Sequence, residues 1–237
     1  MFVWWDPLYL IAIAPALLLM LWAQARTRSA FAGGMRVPAN LSGAAAARYI
    51  LDRAGLNDVG IETSAGFLSD HYDPRTRTVR LSPKVHDTRS AAAVGIAAHE
   101  TGHAMQHANA YGLLIIRNLA VPAARFGPIA FMILVMLGMF FLWKDPDSTS
   151  GAWLIRFGIL AYCGLLFFQV VNLPVEFDAS RRAKRILTEY AIVDEEGAVA
   201  VNRVLNAAGW TYVAATLQTL LTLLYSLSRL GLLGGRR

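Results

Sequence analysis

Four stretches of this chain contain no Asp, Glu, Lys or Arg: residues 8–25, 126–143, 157–175 and 204–228. Each runs for about 18 residues or more, the length a helix needs to cross the hydrocarbon of a bilayer. Few architectures accept such segments. In lipid the backbone has to satisfy its own hydrogen bonds, so each stretch is expected as a helix. The composition agrees, since 56% hydrophobic residues and a mean hydropathy of +0.43 exclude an ordinary soluble domain. The expected fold is therefore an α-helical integral membrane protein with about four membrane helices, the fourth either crossing or lying along the inner interface.

The first run is read as a retained anchor with its N-terminus outside. Ala23-Gln24-Ala25 resembles a small-residue cleavage site, but a secretory signal carries its positive charge ahead of the apolar stretch. Here Asp6 precedes it and Arg26 and Arg28 follow.

A formal net charge of +6 raises the question of nucleic-acid binding, and the placement of the charges answers it. Lys and Arg crowd residues 26–125 and 181–203, whereas the turn at 144–150 holds Lys144 beside Asp145 and Asp147. By the positive-inside rule both large polar segments are cytoplasmic and the turn is external. The lipid bilayer, not a nucleic acid, is the partner this pattern implies. Arg229, Arg236 and Arg237 suit an interfacial last helix better than a crossing one. The single cysteine, Cys163, lies in an apolar run and reads as a small buried hydrophobe. Nothing in the sequence indicates an oligomeric state.

These features divide the chain into a membrane anchor (1–25), a cytoplasmic part (26–125), a membrane hairpin (126–175), cytoplasmic helices (176–209) and a C-terminal membrane or interfacial helix (210–237). Within 26–125, "LSGAAAARYILDRAG" reads as an amphipathic helix capped by Asn40 or Ser42 and closed by Gly55. "VGIET" and "TVRLS" read as strands, and the Asp-Pro step in "HYDPRTRT" as a turn, giving a small sheet of about three strands. Thr88 or Ser90 caps the next helix. From Asn172, "NLPVEFDASRRAKRILTEY" reads as a new charged helix with Pro174 in its first turn, followed by an amphipathic stretch at 194–205.

That helix after the sheet contains "AAHETGHAMQH", residues 97–107, in which His99, Glu100 and His103 form H-E-x-x-H. Residues four apart share a helix face, so both imidazoles can reach one ion while Glu100 lies beside it. This arrangement suits zinc hydrolysis: neutral imidazole nitrogen is a good zinc ligand, and an open coordination position activates water. With five His, chance placement gives only about 0.003 matches to the pattern in a chain of this size. Glu100 is the expected general base. A catalytic zinc site takes a third protein ligand, which has to lie on the same side of the bilayer. Glu176, two crossings later, meets that condition; Asp178, Glu189, Asp194, Glu195 and Glu196 are in more solvated surroundings.

HETGH followed by Ala104, Met105, Gln106 and His107, preceded by "DHYDP" at 70–74 and "LS" at 81–82 and followed by "NLPVEFDAS" at 172–180, resembles the YugP-type membrane zinc metallopeptidases. The likeness spans most of the chain. It implies a small α+β zincin-like catalytic domain of gluzincin type, in which two histidines and a distant glutamate hold one zinc ion, and it supports Glu176 as the third ligand. A wider clan of integral-membrane peptidases, the CAAX prenyl proteases among them, has a similar E-F-x-A-D stretch. Glu176, Phe177 and Ala179 match it, but Ser180 stands where that clan has aspartate. Ser180 is a weaker candidate for holding a ligand histidine. Asp178 points about 200° away from Glu176 on a helix and is expected to pair with Arg181 or Arg182.

Among other candidates, His107 lies about 12 Å along the axis from His99, too far to share the ion. His71 and Tyr72 are candidates for substrate or oxyanion contact, set against an ordinary turn. His86 is expected at the surface. The strand "TVRLS" could pair with an extended substrate at its edge, and Thr216, Thr219, Thr222 and Ser226 form a stripe for close helix packing. The leading expectation is an integral-membrane zinc endopeptidase of the cell (inner) membrane, acting on membrane proteins or hydrophobic peptides. The alternatives are a zinc-stabilised membrane scaffold or adaptor without turnover and, more weakly, a metal transporter.

Overall fold

The computed structural model describes residues 7–66 and 69–229. The first six residues of the expected anchor, with Asp6, and the tail from 230, with Arg236 and Arg237, lie outside the described residues. In chain order the elements are α1 (Pro7–Gly34), α2 (Gly43–Arg53), β1 (Gly60–Thr63), β2 (His71–Asp73), β3 (Thr78–Leu81), α3 (Pro83–Asp87), α4 (Ala91–Ala108), α5 (Gly112–Lys144), α6 (Thr149–Glu189) and α7 (Glu195–Arg229). They fall into two units, one of Trp22–Ile115 and Pro174–Thr211, the other of Met1–Leu21, Ile116–Leu173 and Tyr212–Arg237.

The first unit holds the sheet and the H-E-x-x-H helix. Ser42 caps α2 by accepting the Ala45 N–H. Gly55, at φ +71, ends the helix in the left-handed region where a glycine carries no Cβ penalty. Arg48, on the polar side of α2, donates to the carbonyls of Val59 and Leu56 and pairs with Asp52, so one guanidinium ties the following loop to the helix.

The sheet order is β1-β3-β2, with β1 parallel and β2 antiparallel to β3. Two readings of this region need correction. His71–Asp73 is itself a strand, and the turn is shorter than expected: Asp73 accepts from the Arg75 N–H and the Thr76 hydroxyl, while Arg77 takes the positive φ. The strand expected to offer an edge to substrate, β3, is central, so its backbone groups are already engaged on both sides. The sheet's outer strands are β1 and β2.

Helix α4 begins at Ser90, which accepts the Ala93 N–H. Its alanines and glycines let neighbours approach closely. A Cβ on Gly102 would stand 2.9 Å from the Ala179 carbonyl oxygen and one on Gly95 3.1 Å from Val201. Bare backbone at Gly102 therefore brings α6 against α4 between the two motif histidines.

The expected break before the charged helix is absent. Helix α6 runs unbroken for 41 residues with Pro174 inside it. Proline forfeits one hydrogen bond to the carbonyl four residues back, but complete burial of Val175, Ala179 and Ala183 fixes the backbone beyond it. The stretch at 194–205 likewise continues into the last apolar run as one helix, α7.

In the second unit, Phe131 and Val135 of α5 pack with Ile155, Ile159 and Tyr162 of α6 and Leu223 of α7, and partly buried Cys163 lies against this cluster. Tyr9 and Ile13 of α1 pack on Tyr225. Thr219, Thr222 and Ser226 are buried, and Thr216, Thr219 and Ser226 donate to carbonyls of their own helix. Three helices, α1, α5 and α6, are long and apolar enough to cross a membrane. Among the described residues, α7 does not join them.

Candidate metal centre

The H-E-x-x-H face of α4 meets the second half of α6. The Nε2 atoms of His99 and His103 lie 3.3 and 3.5 Å from the same Glu176 oxygen, Oε2. One ligand atom from each residue falls within 4.8 Å of the others, and the imidazole rings stand nearly perpendicular, at 86°. Exposures of 12%, 9% and 5% for these side chains leave the cluster dry but not sealed.

Two imidazole nitrogens and a carboxylate oxygen converging on one point form a donor set that zinc accepts, with room for a fourth ligand. The far nitrogens are also occupied: His99 Nδ1 lies 3.1 Å from Ser180 Oγ and His103 Nδ1 lies 2.9 Å from Gln106 Oε1. With each Nδ1 engaged away from the cluster, the Nε2 atoms are the ones aimed inward. The residues fit the ion.

Burial shapes the charges. Glu100 is raised above the usual carboxylate range, chiefly by burial, with the nearby histidines opposing and Glu176 and Asp70 adding. Burial alone would lower His103, but hydrogen bonding and charge from Glu176 outweigh it and the imidazole is raised. Glu100 thus holds a proton more readily than an exposed glutamate.

Asp178 does more than expected. It pairs with Arg182 and Arg181, as its helical spacing implied, and it also accepts from Gln106 Nε2 at 3.0 Å. The same amide donates to the Val175 carbonyl at 2.8 Å. Gln106 is fully buried, and sequence reasoning passed over it. Its one signal was its place three residues after His103, on the same helix face.

The remaining candidates separate cleanly. Tyr72 donates or accepts a 2.9 Å hydrogen bond with His107 Nδ1, which brings β2 against α4 one turn beyond His103; burial pushes its phenol up. His71, its neighbour on the strand, faces the other side, bonds to the Ser69 carbonyl and is exposed. His107 stands outside the cluster, and His86 is bonded to Asp87. Glu189, Asp194, Glu195 and Glu196 are exposed, and Asp194 accepts the Gly197 N–H at the start of α7.

The chain matches, over residues 9–231, the model of a family described as "putative neutral zinc metallopeptidase". It is 41% identical over 219 residues to the "Putative membrane protease YugP" of Bacillus subtilis (strain 168), covering 92% of this chain and 94% of that protein. No solved structure matches it.

Proposed function

From the premise that the chain belongs to this neutral zinc metallopeptidase family, we propose that it is an integral-membrane zinc endopeptidase in which His99, His103 and Glu176 hold one zinc ion. The observation that carries the reading is the convergence of two Nε2 atoms on one Glu176 oxygen. When bound, zinc supplies a Lewis acid that polarises the scissile carbonyl and makes water acidic near neutral pH. Glu100 accepts the proton from the attacking water and returns it to the departing amine. Ser180 orients His99. Tyr72, beside His107, is the contact offered to substrate or to the developing oxyanion; His71 is turned away from that role.

The family relative is a membrane protease by its description, and three helices have the length and apolarity of membrane spans. We place the chain in the cell (inner) membrane as a multi-pass protein, with α4 and the second half of α6 on the cytoplasmic side and the N-terminus outside, following the distribution of Lys and Arg. Glu176 directly follows the charge-free run at 157–175 along α6. A site so close in sequence to apolar segments suits membrane proteins or hydrophobic peptides as substrates.

The test is Glu100→Gln in detergent-purified protein, reading bound zinc and peptide cleavage together. Zinc should be retained and cleavage lost. Retained cleavage would refute the general-base role, and a variant that behaves as wild type while zinc removal disrupts folding would favour the scaffold without turnover.

A further inference from the structure

We infer that Gln106 is the positioning residue that fixes the tautomer of His103, and that the two histidines of the motif are held by devices of unequal strength. A side-chain amide has one donating end and one accepting end, and its neighbours decide which way it lies. Gln106 has two neighbours that can only accept: the Val175 carbonyl at 2.8 Å and the Asp178 carboxylate at 3.0 Å. The Val175 carbonyl has no proton to give, and the Asp178 Oδ2 atom already accepts from Arg182 Nε. The NH2 group must therefore face both, and Oε1 must face His103 Nδ1, 2.9 Å away.

An amide oxygen cannot donate, so the proton on that bond belongs to Nδ1. The lone pair of the neutral ring is left on Nε2, the atom facing Glu176. The other tautomer would set two acceptors against each other at hydrogen-bond distance in a fully buried place, and turning the amide over would aim its oxygen at a carbonyl and a carboxylate. Either arrangement strands buried polar groups, which is costly. The chain Arg182–Asp178–Gln106–His103 thus runs one way only.

His99 is held differently. Its Nδ1 partner is the Ser180 hydroxyl, at 3.1 Å, which can rotate to donate or accept. It steadies the ring without choosing a tautomer. His103 is the locked ligand and His99 the adaptable one.

The zinc part of the test rests on the proposed metal site; the tautomer part does not. In zinc-free protein, taken to a pH at which the 15N chemical shifts of labelled histidine show a neutral His103, those shifts report which nitrogen carries the proton. His103 should show Nδ1–H, with signals assigned through single His→Asn variants. Gln106→Met, close in size but unable to accept, should mix the tautomers and raise the zinc dissociation constant by about 10- to 100-fold. Ser180→Ala should raise it less. If Gln106→Met folds poorly, the tautomer of His103 in the parent protein, read with no substitution at 106, still decides the inference.

An Nε2–H tautomer in the parent protein overturns the inference. So does a Gln106→Met variant that is folded, retains the Nδ1–H form and binds zinc as tightly as the parent, or one that loses zinc without any change in tautomer. A parent that shows Nδ1–H yet binds no zinc would instead overturn the metal reading and leave the lock standing.

Discussion

The two units of this protein bury opposite things. In the unit built from Trp22–Ile115 and Pro174–Thr211, the interior mixes alanines with Ile50, Leu51, Leu81 and Leu187 and admits Glu100, His103, Gln106 and Glu176. In the other, the buried polar groups include Thr219, Thr222 and Ser226, whereas Leu160, Phe140 and Ile133 are exposed. Large apolar side chains directed outward are unfavourable in water and ordinary in lipid. One unit therefore spends its interior on a polar network that is expensive unless every member is paired, and the other can satisfy hydroxyls within their own helix. The comparison predicts where the molecule is fragile: at hydrogen-bond and ligand partners in the first unit, and at any charge placed on the outward apolar face in the second.

The largest expected effect is at Glu176. Glu176→Ala removes the carboxylate and leaves two buried imidazoles without it. Zinc affinity should fall by more than about 100-fold, read by competition with a chromogenic chelator, and cleavage should be lost. Phe140→Ala, on the outward face of α5, should change neither. Equal losses from both would break the distinction between the units.

Next comes the close approach of α4 and α6. A Cβ on Gly102 would meet the Ala179 oxygen at 2.9 Å, and backbone cannot swing aside as a side chain can. Gly102→Val should cost about 1–3 kcal/mol of stability and weaken zinc binding, because Glu176 is one turn from Ala179 on the displaced helix. Thermal unfolding and zinc titration measure the two consequences separately. Loss of stability with unchanged zinc affinity would show that the site tolerates a shift of α6.

Charge on the outward apolar surface ranks third. Phe167 is 53% exposed at the middle of the charge-free run of α6, and Phe167→Arg should cost about 2.5–3.5 kcal/mol on a membrane-insertion scale. Val199, at 46% exposure in α7, belongs to the other unit; Val199→Arg should stay within about 0.5 kcal/mol. Glycosylation-mapped insertion and unfolding in detergent give the respective readings. Similar costs would mean that both surfaces meet the same solvent.

Much of this was legible in the chain because it is periodic or local. The spans of α1, α5 and α6 follow from charge-free runs, the caps at Ser42 and Ser90 from hydroxyls standing before alanine-rich stretches, and the pairing of His99 with His103 from a spacing of four. The convergence with Glu176 needed a topological argument, since 72 intervening residues carry no periodic signal. Three things were hidden for physical reasons. Pro174 reads as a helix start because local propensity does not know that Val175 and Ala179 will be fully buried. The centrality of β3 is a pairing between strands distant in sequence. Gln106 is uncharged and common, and becomes informative only once Val175 and Asp178 are found on its amide.

The smallest effect tests the sheet that carries Tyr72. Asp73 is held at about 2, first by the hydrogen bond from Arg80 and then by the Arg75 N–H. An unfolded aspartate titrates near 3.9, so the folded value is the lower one. The stabilisation is therefore present above about pH 4 and fades as pH falls toward 2. Because the pair is partly exposed, its size should stay below about 1 kcal/mol. Asp73→Asn should lower stability slightly at neutral pH and remove part of the fall between pH 4 and 2, measured by denaturant unfolding across that window. An unchanged pH profile would mean that Arg80 does not hold the β2–β3 turn in solution, and that Tyr72 reaches His107 through packing on α4 alone.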